Sequence, residues 1–165
     1  MTPLLVSPTQ LTLSFSPLLV GKLWELSVTR NDPQTVAMYQ RHYSFKAREH
    51  MPAKFGNPGH YIGLMTAKRD ALFLWSEEKY RRDGQVGINC TVFRNESNLL
   101  SSDLIREAID IAWRRWPGKR LFTFVDASKI KSRNPGYCFK LAGWTSCGAT
   151  KTGLLIFEIL PTKDV

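Results

Sequence analysis

An acid, a run of cations and a phenol follow one another between Phe122 and Trp144, FTFVDASKIKSRNPGYCFKLAGW. Leu121, Phe122, Phe124 and Val125 predict a buried strand that ends at Asp126, the position where open α/β sheets hold their ligands. Lys129, Lys131 and Arg133 follow in a loop, and Asn134-Pro135-Gly136 opens a helix carrying Tyr137. A carboxylate, a phenol and several cations at one cleft suit chemistry on an anionic partner.

The rest of the chain must build the sheet that positions these groups. Its 165 residues are enough for one core, and a single domain is expected. A net charge of +9 makes nucleic acid, an anionic membrane or a phosphorylated cofactor better partners than a basic surface. Cys90, Cys138 and Cys147 form no CxxC pair, and His42, His50 and His60 have no compact ligand spacing, so neither a disulfide framework nor a metal site is expected. A reducing, cytoplasmic compartment fits this cysteine usage. The early segment with Pro3, Pro8 and Pro17 lacks the basic start of a signal peptide, and no run reaches the roughly 20 apolar residues of a membrane span. Monomer and homodimer are both compatible with the sequence.

Alternation of Leu11, Leu13 and Phe15 with polar residues predicts a strand, and Leu23 to Val28 a second extended element. Asp32-Pro33 is an N-cap with proline in the first turn, and Val36, Tyr39 and Tyr43 are expected on one face of the helix that His42 closes. Phe45 to Gly59 reads as a long basic surface loop carrying Lys46, Arg48 and Lys54. His60 to Ala67 and Ala71 to Trp75 read as a hairpin, EEKYRRDG as a solvated connection, and Val86 to Arg94 as a further strand. Ser101-Ser102-Asp103 precedes a helix with Ile105, Ala108, Ile109, Ala112 and Trp116 at helical spacing, while Arg106, Asp110 and Arg114 take the wet side. The strand into Asp126, a short helix from about Pro135 and the pair Thr145 to Ala149 and Leu154 to Leu160 complete an α/β order.

This element order resembles the GNAT acetyltransferase fold, whose mixed sheet splays near its middle. In that family a glycine-rich turn after the fourth strand presents amides to the cofactor pyrophosphate. Here Arg94-Asn95-Glu96-Ser97-Asn98-Leu99-Leu100-Ser101-Ser102 fills that place without glycine. Arg94, Ser101 and Ser102 are the candidate anion-binding residues there; equally, a serine is the helix N-cap and Arg94 a surface strand end.

A narrower likeness rests on His42-Tyr43-Ser44, Arg94, Ser101-Ser102, Asp126, and Tyr137 followed by Ala142-Gly143-Trp144. In these positions the chain resembles the Mom-type phage DNA modification proteins; Asn134-Pro135-Gly136 and Gly143 differ from their pattern. The resemblance implies transfer of a small acyl-derived group to the exocyclic amine of adenine in DNA, which shields restriction sites, with acetyl-CoA or a related acyl donor. It makes His42, Tyr43, Asp126 and Tyr137 the catalytic candidates. Asp126 would accept from the amine, Tyr137 would donate a proton to a leaving group or oxyanion, and His42 would shuttle protons near neutral pH. Each has a plainer reading: Asp126 as a turn cap, Tyr137 as a core phenol, His42 as a helix-end cation. Lys46, Arg48, Lys54, Lys129, Lys131 and Arg133 would form a phosphate track, and an exposed aromatic among Phe45, Phe55, Tyr61 and Trp75 could stack on an extruded base. Two other classes fit the residues, a CoA-dependent GNAT acyltransferase acting on a small amine or protein, and a non-enzymatic basic DNA-binding or inhibitory module.

Overall fold

Seven extended runs become the strands of one mixed sheet in the computed structural model, which describes residues 21–29, 31–45, 60–78, 81–131 and 133–162. The strands are β1 (Leu26–Val28), β2 (His60–Met65), β3 (Ala71–Glu77), β4 (Ile88–Asn95), β5 (Leu121–Val125), β6 (Thr145–Ala149) and β7 (Leu155–Ile159). Their spatial order is β1-β2-β3-β4-β5-β7-β6. Three helices accompany them, α1 (Pro33–Gln40), α2 (Ser101–Arg115) and α3 (Tyr137–Leu141). All neighbours pair antiparallel except β4 and β5, and a parallel pair needs a crossover, which α2 provides. The expected strand at Leu11 to Phe15 and the basic loop beyond Phe45 lie outside the described residues. No helix among the described residues is long and apolar enough to cross a membrane.

Alternate residues of each strand serve opposite faces. Phe73 and Trp75 join Trp24, Cys90, Leu121, Phe157 and the buried face of α2 in one cluster. Leu72 and Leu74 join Val28, Met38, Met65 and Val92 in another, beneath α1. Asp32 caps α1 as its sequence predicts, accepting from the Gln34 and Thr35 amides at 3.0 Å. Thr35 and Met38 are the fully buried residues of α1, while Val36 and Tyr39 are half-buried and Tyr39 packs against the same cluster. Thr35 can be buried because its hydroxyl lies within reach of Asp32 Oδ1 and Met65 Sδ.

α2 shows the expected stripe, burying Leu104, Ile105, Ala108, Ile109, Ile111 and Ala112. Its N-cap is Leu100 rather than a serine, with no side-chain cap bond. Three ties join it to the β1–β4 half of the sheet. Trp24 Nε1–H donates to the Leu104 carbonyl at 2.7 Å, and Trp75 Nε1–H donates to the Ala108 carbonyl at 2.9 Å. The Glu107 carboxylate accepts from the backbone amides of Lys22, Leu23 and Trp24 at 2.6–2.8 Å.

The connection after β3 is less solvated than its charges suggest. Arg81 pairs with Glu78 and Asp83 while lying over the rings of Phe122 and Phe124, so its stem and guanidinium cover apolar sheet. α3 ends in a Schellman motif, with Trp144 N–H donating to the Phe139 carbonyl and Gly143 N–H to the Lys140 carbonyl, both at 3.0 Å. Gly143 takes φ +97° there, and the Phe139 and Trp144 rings pack 5.0 Å apart across the motif. Backbone conformation thus accounts for the glycine at 143.

Candidate functional site

The parallel ladder is short. β4 and β5 pair only at Ile88↔Leu121, Asn89↔Phe122 and Cys90↔Thr123, although β4 continues to Asn95 and β5 to Val125. A cavity of about 730 Å³ opens where they part, within the size range of small-molecule sites. His42, Tyr43 and Ser44, which follow α1, line it together with Phe93, Ser101, Tyr137, Cys138 and Phe139 from the α2–α3 side. Since α1 and the α2–α3 pair cover opposite faces, the cavity at the split draws its lining from both.

β4 is irregular at this point. Leu74 pairs with Val92 and Trp75 with Cys90, so Thr91 is an extra residue bulged from the ladder. Thr91 Oγ1 and Asn89 Oδ1 are buried without a hydrogen-bond partner, and both residues line the cavity. Sequence reasoning passed over these two. Their available signal was two polar residues inside the apolar run Ile88 to Phe93.

His42 is 9% exposed and stacks on Tyr43 with ring centroids 4.4 Å apart. Its Nδ1 accepts from the Ser44 amide at 3.1 Å and lies 2.7 Å from Ser44 Oγ, which places the ring proton on Nε2. Burial, with the positive Arg94 nearby, lowers its pKa to about 4, against the opposing effect of the Phe93 backbone. A neutral imidazole at pH 7 does not titrate as the expected shuttle, nor is it a helix-end cation. It forms part of the cavity wall.

Tyr43 is 37% exposed, yet burial around its hydroxyl raises its pKa, partly offset by a hydrogen bond from the Asp126 backbone. This brings two candidates together. Asp126 ends β5 as predicted and caps the single 3-10 turn Ala127–Lys129, its Oδ1 accepting from the Ser128 amide at 3.1 Å and the Ser128 hydroxyl at 2.6 Å. The Ser128 side chain chiefly, with Lys129 and backbone amides, holds its pKa below the usual carboxylate value. Asp126 is therefore ionised and capping a turn while it lines the cavity. Tyr137 also lines the cavity at 53% exposure, so it is no core phenol. Gly136 precedes it with φ +78°, and a Cβ there would stand 2.5 Å from the Phe157 ring. The close approach seats Tyr137 at the wall.

Burial pushes the thiols of Cys90 and Cys138 up, so both are protonated in the cavity lining. Neither supplies a thiolate nucleophile at neutral pH. Among the described residues no group of His, Cys, Asp and Glu could hold a metal ion.

Arg94 does not reach the cavity lining. Its Nε donates to Glu96 at 2.5 Å and its Nη1 to the Arg41 carbonyl at 2.9 Å, while Arg41 forks onto both Glu96 oxygens at 2.8 Å. Arg41 and Arg94 lower the Glu96 pKa to about 2. This clamp fastens the end of α1 to β4, and it corrects the anion-binding expectation for Arg94. Ser101 lines the cavity and its Oγ accepts from Asn95 Nδ2 at 3.0 Å; Ser102 is buried outside the lining. The loop uses its own amides: Ser97 N–H donates to Asn95 Oδ1 at 2.9 Å and Leu99 N–H to Ser97 Oγ at 3.1 Å.

Of the basic candidates, Lys129 lines the cavity, whereas Lys131 and Arg133 are exposed beyond it. Lys46, Arg48 and Lys54 lie outside the described residues, as does Phe55. Trp75 is fully buried and Tyr61 partly so, and neither lines the cavity. No family model, curated protein or solved structure matches this chain.

Proposed function

We propose that this chain is a group-transfer enzyme of GNAT-like fold that attaches a small acyl-derived group to a nucleobase amine in DNA, adenine first. The observation that carries the reading is the cavity at the split between β4 and β5, with Tyr43, Asp126 and Tyr137 on its wall. A lining drawn from both faces suits a donor held on one side and an amine on the other. The crossover α2 and the parting of the mixed sheet between β4 and β5 support the resemblance.

In the transfer, the amine nitrogen forms the new bond to the activated carbon, the donor's leaving group departs, and the amine loses one proton. An amine bonded to an acyl carbon is a strong acid before that loss, so the ionised Asp126 suffices to accept the proton despite its lowered pKa. Tyr137 donates toward the leaving group or oxyanion, and Thr91, a lining residue at the bulge with an unpartnered hydroxyl, is available to the same charge. Lys129, with Lys131 and Arg133, contacts DNA phosphates. The product would be shielded from restriction nucleases in the cytoplasm of the host cell. The loop from Asn95 to Leu99 spends its amides internally, which favours this reading over a CoA enzyme gripping pyrophosphate there.

Digestion of DNA from cells expressing the chain, followed by nucleoside mass spectrometry, tests the proposal. A new adenine-derived nucleoside is expected, lost in Asp126→Ala and reduced at least tenfold in Tyr137→Phe, given the roughly 10²–10⁴-fold usual for proton-transfer groups. An unchanged nucleoside profile with soluble, folded protein refutes it.

A further inference from the structure

Asn89 is unusual in its surroundings. It lies mid-sheet between the buried Ile88 and Cys90, is itself 5% exposed, and its Oδ1 has no hydrogen-bond partner among the described residues. A buried amide left unpaired destabilises a fold, and an apolar side chain of like size would avoid that cost. Asn89 lines the cavity, so its missing partner has a place to sit.

Strand alternation shows which side of the split it serves. Ile88 and Cys90 face the α2–α3 cluster, so Asn89 points to the opposite face, the side of α1. By the same rule Phe124, between the inward-facing Thr123 and Val125, shares that side and also lines the cavity. The Asn89 carboxamide, its Oδ1 unpartnered, thus shares one side of the split with the Phe124 ring. A carboxamide offers an acceptor beside a donor, which matches the N6–H and N7 edge of adenine with two hydrogen bonds. An aromatic wall suits a face of a base taken out of its stack.

We propose that Asn89 reads the acceptor base, its Oδ1 taking one hydrogen of the exocyclic amine while Phe124 stacks on the ring. This rests on the nucleobase-transfer reading and names the residue that selects the base. Asn89 holds the amine hydrogen that survives transfer, which leaves the other to depart. Ser76 lies opposite Asn89 in the ladder with its own hydroxyl unpartnered, but it does not line the cavity and serves as the control.

The test uses fluorescence anisotropy with short single-stranded oligonucleotides identical except for a central deoxyadenosine, deoxycytidine or abasic site. Single strands remove the cost of extrusion. The unaltered chain should prefer the deoxyadenosine strand over the abasic one by about 10- to 100-fold, the worth of a bidentate pair. Asn89→Leu and the milder Asn89→Ser should erase that preference while keeping the affinity for the abasic strand, and Ser76→Ala should retain it. Circular dichroism establishes that each variant is folded. Preference kept in both Asn89 variants overturns the role of Asn89 and leaves the transfer reading standing. A stronger preference for deoxycytidine also overturns adenine reading. No binding of any strand by the unaltered chain overturns the transfer reading together with this inference.

Discussion

Acid should weaken this fold before its carboxylates begin to titrate, and His42 is the cause. Its imidazole has an ordinary pKa of 6.5 but one of about 4 in the folded chain, where it is buried beside Arg94. A histidine with a depressed folded pKa binds protons in the unfolded state first. Stability is therefore intact above pH 6.5, falls as the pH drops through the unfolded value, and stops falling near the folded one. Between pH 7 and pH 5 the linkage relation gives a loss of about 2 kcal/mol from this one group. Asp32, Asp83, Glu96 and Asp126 have lowered pKa values, so their contributions are lost only further down, in the carboxylate range. Urea unfolding at pH 7, 6 and 5, with the same series on His42→Asn, isolates the effect. Asparagine can still accept from the Ser44 amide but cannot take up a proton. The variant should be weaker than the parent at pH 7, and its stability should decline less by about 2 kcal/mol over the interval. Parallel pH profiles for the two proteins would refute the neutral, walled-in histidine.

Two further substitutions probe how the site is held. Gly136→Ala places a methyl 2.5 Å from the Phe157 ring at φ +78°, which should cost about 2–4 kcal/mol and lower the melting temperature by roughly 10 °C; a change under a degree or so would refute the close approach. Glu107→Ala removes the acceptor of three backbone amides and should cost about 3 kcal/mol, whereas Glu107→Gln keeps one oxygen for Leu23 and Trp24 and should cost about 1 kcal/mol. Equal losses in urea unfolding for the two variants would show that charge, not the number of accepted bonds, sets the effect.

Local chemistry made much of the architecture legible. Asp32-Pro33 marks the start of α1, the apolar runs flanking Lys68-Arg69-Asp70 form the β2–β3 hairpin, and the stripe from Ile105 to Ala112 is the crossover. Asp126 and Tyr137 do meet one cavity, because strand-end and helix-start positions are local properties. What escaped depends on distant partners. The eight-residue α1 is too short for periodicity to choose between Val36–Tyr39 and Thr35–Met38, and the choice falls to Asp32 and Met65. Arg94 looks like a free cation until Glu96 and the Arg41 carbonyl are folded beside it. Asn89 and Thr91 matter because the sheet parts next to them, which no pattern within β4 announces.

The ties from Trp24, Trp75 and Glu107 to α2 also bear on the width of the slot. Backbone pairing joins the two halves of the sheet only from Ile88 to Cys90, so it cannot set their separation further along. α2 does so instead, gripping the β1–β4 half through those three side chains while its apolar face shares a core with Leu121, Val125 and Phe157 of the other. The helix acts as a spacer bar whose body lies outside the opening it gauges. Changes to its core face would be felt as altered fit for whatever occupies the slot, with no lining residue replaced.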